Sequence, residues 1–297
     1  MRFQSLLSFA AVLVAVVPAL SQTPVEVEKG LKQRYEGKAI LLRHFYRENQ
    51  LHYTPDGELI GLGQAGPWTL SRIEIKRIKL TPSALVLEGN RVADYYDHET
   101  KAFVKMRTAK SVRIDVQVGT NGVGALDEAM KKVFLETSEE LLTDLPSYWV
   151  AFLKGEGHGP STRFPIANQP LAQRDFSQSP LPASPSNSGP PTPSNGSGLP
   201  PGVFKVGGKI SAPRVTYSPD PSYEPLAQEA KFQGTTVLWV VVDEQGRAAE
   251  IRLSEPLGFG LDERAVDAVK TWRFQPAKRD GIPVAVQINI EVNFRLY

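Results

Sequence analysis

The stretch that decides the fold closes the chain: Val284 to Tyr297, VAVQINIEVNFRLY. Val284, Val286, Ile288, Ile290, Val292, Phe294 and Leu296 share one parity, and Ala285, Gln287, Asn289, Glu291, Asn293, Arg295 and Tyr297 share the other. Side chains on a strand change face at every residue, so the pattern predicts one long strand with a dry and a wet face. A long strand at the end of a chain is placed to be a sheet edge. Its unpaired N–H and C=O groups can then accept another strand.

Working outward, Ser222 or Glu224 is positioned to cap a short helix through Phe232, with Pro225 in its first turn and Gly234 as its stop. Thr235 to Asp243 (TTVLWVVVD) reads as a central strand, and Asp243-Glu244-Gln245-Gly246 as the turn into a second strand, Ala248 to Ser254. Asp262 is the expected cap of a helix whose apolar positions Leu261, Ala265, Ala268, Val269 and Trp272 keep helical spacing. Leu261 and Val266 sit where a hydrophobic staple would, and Asp280-Gly281 turns the chain into the closing strand. The expectation is an α+β unit, two helices on a three-stranded antiparallel sheet. Trp239 and Trp272 are expected as core anchors, and Tyr217, Tyr223 and Tyr297 as surface aromatics open to a partner.

These residues resemble the C-terminal domain of TonB proteins. The resemblance is carried by Tyr217-Ser218-Pro219-Asp220-Pro221-Ser222-Tyr223, Gln233-Gly234, Val242 to Arg247 (VDEQGR), Leu261-Asp262, Trp272 to Ala277 (WRFQPA), Asp280-Gly281 and Val292-Asn293-Phe294. It covers roughly the last third of the chain. Where the family usually has Tyr-Pro at the first helix, Glu224 here separates Tyr223 from Pro225. The resemblance implies a non-enzymatic role without cofactor or metal. Family members bind the TonB box of outer-membrane receptors by strand addition and pass on work from the inner-membrane proton gradient. The site implied for this chain is the entry segment at Tyr223 and the closing strand at Val284, Val286, Gln287, Ile288, Asn289, Ile290, Glu291, Val292, Asn293 and Phe294. The proton-channel subunits of the inner membrane are implied as partners if the chain is anchored there, and a homodimer is left open.

At the amino end, Met1-Arg2, the apolar run Leu6 to Leu20 and the small residues Ala19 and Ser21 read as a cleavable signal peptide over residues 1–21. The run of 15 residues is shorter than the about 20 that a spanning helix needs. The expected location is the periplasm, the alternative an uncleaved anchor in the inner membrane over residues 6–20. The family's anchoring helix carries a Ser and a His, and no His precedes His44 here. From Ser177 to Gly202, Pro, Ser and Gly supply 19 of 26 residues, so residues 160–202 read as a linker. That leaves residues 24–156 and 203–297 as two domains. Residues 203–297 carry 12 basic and 12 acidic side chains, which gives no footprint for nucleic acid. Cysteine is absent, which excludes disulfides and thiolate chemistry.

Residues 24–156 read as a β-rich N-terminal domain. Val27, Leu31 and Tyr35 mark an opening amphipathic helix. Strands are expected at Ala39 to Tyr46, Leu51 to Tyr53, Arg72 to Leu80, Ala84 to Glu88, Phe103 to Arg107 and Ser111 to Val118, then a helix over Leu126 to Leu142. Gly61 to Gly66 matches GxGxxG in letters, but Pro67-Trp68 follows where a helix must start, so it reads as a loop. Gly119 to Gly124 lacks the Lys-Ser/Thr of a phosphate loop. Asp94 to Glu99 (DYYDHE) gathers metal-ligand types on adjacent residues that point different ways, and reads as a solvated hairpin turn.

Overall fold

The computed structural model describes residues 23–120, 122–155 and 199–296. The expected signal peptide over residues 1–21 and nearly all of the expected linker over 160–202 therefore lie outside the described residues, as does Tyr297.

Helix α1 (Pro24–Tyr35) opens the N-terminal unit. It starts on a capping box in which Thr23 Oγ1 accepts from Glu26 N and Glu26 Oε2 accepts from Thr23 N, and it buries the expected Val27, Leu31 and Tyr35. Five strands follow: β1 (Ala39–Leu41), β2 (Gln50–Tyr53), β3 (Arg72–Leu80), β4 (Ala84–Asp97) and β5 (Ala102–Gln117). They form one sheet in the order β1-β3-β4-β5-β2, antiparallel except for the β2–β5 pair. The strands expected at Phe103 to Arg107 and Ser111 to Val118 are one strand, carried past Thr108–Lys110 by a bulge opposite Arg91.

The single helix expected over Leu126 to Leu142 is two, α2 (Leu126–Val133) and α3 (Ser138–Asp144). Phe134 and Leu135 interrupt it. Both are buried, Phe134 bridges to Leu42, and Leu135 N donates to Leu41 O, so the edge of β1 takes these residues from the helix. Thr137 restarts the helix by accepting from Glu140 N. A further helix, α4 (Ser147–Lys154), was not expected.

The C-terminal unit contains β6 (Phe204–Lys205), β7 (Arg214–Tyr217), α5 (Pro225–Glu229), β8 (Gly234–Val242), β9 (Ala248–Glu255), α6 (Leu261–Thr271), β10 (Arg273–Gln275), β11 (Ala277–Arg279), β12 (Ile282–Val284) and β13 (Val286–Phe294). The main sheet has four strands, not three, in the order β6-β13-β8-β9. β13 lies antiparallel to β8, from Val286 opposite Val242 to Phe294 opposite Gly234, and β6 joins its other side in parallel. The expected continuous strand from Val284 is broken at Ala285. Val284 belongs to β12, opposite Ala277, and Ala285 is buried beside Val286, but from Val286 on the even-numbered residues keep the dry face expected of them.

The two units share a core. Trp149 and Phe152 of α4 join Phe45, Trp68, Tyr95 and Tyr96 of the N-terminal unit and Leu238, Leu253, Phe259 and Val269 of the C-terminal unit in one cluster. α4 lies against β9. The Trp149 ring meets Trp68 edge-on at 5.2 Å, and Phe232 stacks on Phe259 at 4.9 Å. Main-chain bonds also cross the junction. Phe259 N donates to Asp94 O, and Tyr96 N to Leu257 O, so Leu257–Phe259 is added like a short strand to the part of β4 that β3 leaves uncovered. This docking explains why Asp94 to Asp97 is not a solvated turn. Asp94 is buried against Arg72 at 2.9 Å, Tyr95 and Tyr96 are core, and the turn proper is confined to residues 97–101.

Candidate functional site

The site is built on β13. Ala285 O accepts from Phe204 N at 2.9 Å, which fixes the direction of the residues with odd numbers. Backbone groups alternate sides along a strand. Gln287, Asn289, Glu291 and Asn293 therefore present N–H and C=O away from β8, while Val286, Ile288, Ile290, Val292 and Phe294 bond to it. β6 pairs only with Val286 and Gln287. Its path then turns through Gly207 (φ 131) and Gly208 (φ 58), with Gly207 and Ile210 bonded to each other across the turn. These conformations suit glycine, and they draw β6 off the edge after two residues. Among the described residues, no strand pairs with Asn289, Glu291 or Asn293 on this side, so six main-chain groups lie along an open edge.

The two faces of the edge differ. Ile290, Val292 and Phe294 are buried beneath it. On the other face Asn289, Glu291 and Asn293 are exposed, and Asn293 Oδ1 accepts from Thr235 Oγ1 at 2.7 Å. Trp239, opposite Asn289, lies on this same face and is half-buried; it is not the core anchor expected from its apolar run. Trp272 is half-buried against the core and donates through Nε1 to Pro219 O. Tyr223 is a packing residue. Its hydroxyl donates to Phe232 O at 2.6 Å and its ring meets Phe294 edge-on at 5.5 Å, which supports the end of β13 from below. Tyr217 is exposed on β7, opposite Arg273. Val284 stands outside the edge, in the β11–β12 ribbon.

The opposite side of the C-terminal unit is sealed by polar locks. Asp262 does not cap α6, because Gly260 takes the cap position with φ 75. The Asp262 carboxylate is buried and accepts from Leu257 N, Gly258 N and Thr236 Oγ1, holding the loop that docks onto β4. Burial pushes its pKa up to about 6, against the hydrogen bond from Thr236. Glu263 accepts from Trp149 Nε1 at 2.8 Å across the junction, and its other oxygen is buried without a partner among the described residues. Burial, and then the neighbouring Asp262 charge, push it up to about 8. Glu224, expected as a helix cap, makes no cap bond. It is 3% exposed and bridges Arg47 of the N-terminal unit and Arg264 of α6, each at 2.9 Å.

Sequence reading missed β6 and the Leu257–Gly260 docking loop. The Gly207-Gly208 pair was the available signal for the first and Gly258-Phe259-Gly260 for the second. The loop reading of Gly61 to Gly66 holds, since a 3-10 turn at Trp68–Leu70 follows it, and Gly119 to Gly124 leads likewise into a short 3-10 turn. Among the described residues no helix is long and apolar enough to cross a membrane.

Residues 219–296 match the family model described as Gram-negative bacterial TonB protein C-terminal. The chain is 34% identical over 83 residues to Protein TonB of Vibrio cholerae, covering 28% of this chain and 34% of that protein. It is 36% identical over 81 residues to Protein tonB2 of Pseudomonas aeruginosa, covering 27% and 30%. The match spans about a third of the length of these curated relatives. Among solved structures, the solution NMR structure of the Pseudomonas aeruginosa TonB CTD is similar at 24% identity and a TM-score of 0.26, covering 28% of this chain and 86% of that one.

Proposed function

We propose that the chain is a TonB-like, non-enzymatic periplasmic protein that captures the TonB box of an outer-membrane receptor by strand addition to the edge Ile288–Phe294. In this role it supports energy-dependent uptake of siderophores or other bulky nutrients. The observation that carries this reading is the open edge at Asn289, Glu291 and Asn293, left free where β6 turns away. Strand addition takes its affinity from main-chain bonds and its selectivity from alternate side chains. Five or six such bonds at about 0.5–1.5 kcal/mol net each, set against the entropy of association, give a contact in the micromolar range or weaker. A grip that is made and released repeatedly suits that strength.

A second reading is a periplasmic scaffold that keeps the fold without transducing work. The docking of the C-terminal unit onto residues 23–155 favours it, because that contact fixes the domain to a neighbour within its own chain. Cross-linking tests the capture step directly, and the absence of native cysteine makes it clean. With Asn289→Cys in the full chain and a TonB-box peptide bearing one Cys, a disulfide-linked complex is expected. It should form at Asn289 and not at a control position on β9 such as Arg252→Cys. Equal linking at both positions contradicts the proposal.

A further inference from the structure

The N-terminal unit alone lines a cavity of about 300 Å³, at the lower end of the size range of small-ligand sites. Its walls include Arg43, His44, Tyr46, Tyr53, Lys131 and Lys132. The backbone beside it is strained: His44 (φ 60) and Phe45 (φ 55) are consecutive side-chain-bearing residues in the left-handed region. Such conformations persist only where the surroundings enforce them, and they cluster at binding sites. Here the turn buries Phe45 and leaves His44 59% exposed.

Two donors in these walls lack an acceptor. Arg43 Nη2 donates to Lys131 O and to Glu140 Oε2, but among the described residues its buried Nε–H meets no acceptor. The Tyr53 hydroxyl is in the same position on a side chain only 3% exposed. Folded proteins leave few buried donors unpaired, and both of these belong to side chains that line this cavity. Charge adds to this. Arg43, Lys131 and Lys132 face a single lining acid, Glu58. The lysines are paired with Glu128 and Glu58, side chains 76% and 70% exposed, and pairs so open to water are readily exchanged for a ligand. Tyr46, Tyr53 and Leu59 give the cavity an apolar wall.

We propose that this cavity binds a small organic anion, a carboxylate or phosphate carried on a ring-sized body. Arg43, Lys131 and Lys132 hold the anionic head, and the tyrosine rings hold the body. The test titrates the full chain with benzoate, phenyl phosphate, acetate and inorganic phosphate, following the Arg43 Nε–H and the amides of Leu59 and Lys132 by NMR. A ring-bearing anion is expected to shift these signals at millimolar concentration, about tenfold tighter than its ringless counterpart. Arg43→Lys should weaken binding by about tenfold or more, because a lysine cannot reproduce the guanidinium fork. Tyr53→Phe should weaken it several-fold without lowering thermal stability, since it removes a stranded hydroxyl. No shift with either ring-bearing anion at tens of millimolar overturns the proposal. So does binding that both variants leave intact, and equal affinity with and without the ring overturns the role of the tyrosines.

Discussion

Gly258→Ala tests the docking of the two units in one atom. Gly258 has φ +85, and an added Cβ would lie 2.5 Å from Tyr95 Cα and 2.6 Å from Asp94 O. Both obstacles are backbone, so neither can swing aside. The left-handed conformation alone costs an alanine about 1–2 kcal/mol. To clear the contact the loop must withdraw from β4, losing the bonds Phe259 N to Asp94 O and Tyr96 N to Leu257 O, at about 0.5–1.5 kcal/mol each. The expected total is about 2–5 kcal/mol. Gly281→Ala is the control: its φ is +87, and its Cβ would meet nothing within 4 Å, so it should cost only the conformational part. Urea denaturation of the full chain measures the difference, and hydrogen exchange at Tyr96 and Phe259 locates it. Equal costs for the two variants, with exchange at Tyr96 and Phe259 unchanged, would refute the reasoning.

Three further expectations concern charge and register. Because the Glu263 pKa is raised from 4.5 to about 8, the protonated form is the one the folded junction favours. Its stabilising effect is complete below pH 4.5 and is lost as pH climbs through 8, a loss of about 5 kcal/mol. Glu263→Gln, which keeps an acceptor for Trp149, should flatten that slope in urea midpoints measured from pH 5 to 9; an unchanged slope would place the titration elsewhere. Glu224→Ala leaves Arg47 and Arg264 without their shared carboxylate and should cost about 3 kcal/mol, whereas Arg77→Ala, at an exposed pair with Glu88, should cost under about 1 kcal/mol by thermal denaturation. On β13 proline distinguishes the parities. At Glu291 it removes an outward N–H, so peptide affinity should fall by about tenfold or more with little loss of stability. At Val292 it breaks the ladder to β8 and should cost about 3 kcal/mol in a melt. Equal effects of the two prolines would mean the register is wrong.

Much of the C-terminal unit was legible because its signals are local. The alternation from Val286 to Phe294 fixed the strand and its buried face, and Asp243 to Gly246 fixed the turn between β8 and β9. What failed depended on distant partners. Phe134 looks like one more apolar residue of a helix until the edge of β1 claims it. Asp94 looks like a turn residue until Arg72 and the Leu257–Phe259 loop surround it. Ala285 keeps the strand's parity in sequence, yet its side chain is buried beside Val286 and its carbonyl accepts from Phe204 of β6, a partner far away in the chain. The edge itself was readable, while its limits were not, because they depend on where β6 turns at Gly207-Gly208.

The account's central claim is tested most directly by titrating the full chain with a TonB-box peptide while following backbone amides by NMR. The account predicts saturable shifts at Asn289, Glu291 and Asn293, slowed hydrogen exchange at those three amides, and smaller changes at Ile290 and Val292, whose N–H groups already bond to β8. Shifts confined to the Gly258–Gly260 loop, or no shift at millimolar peptide, would contradict it.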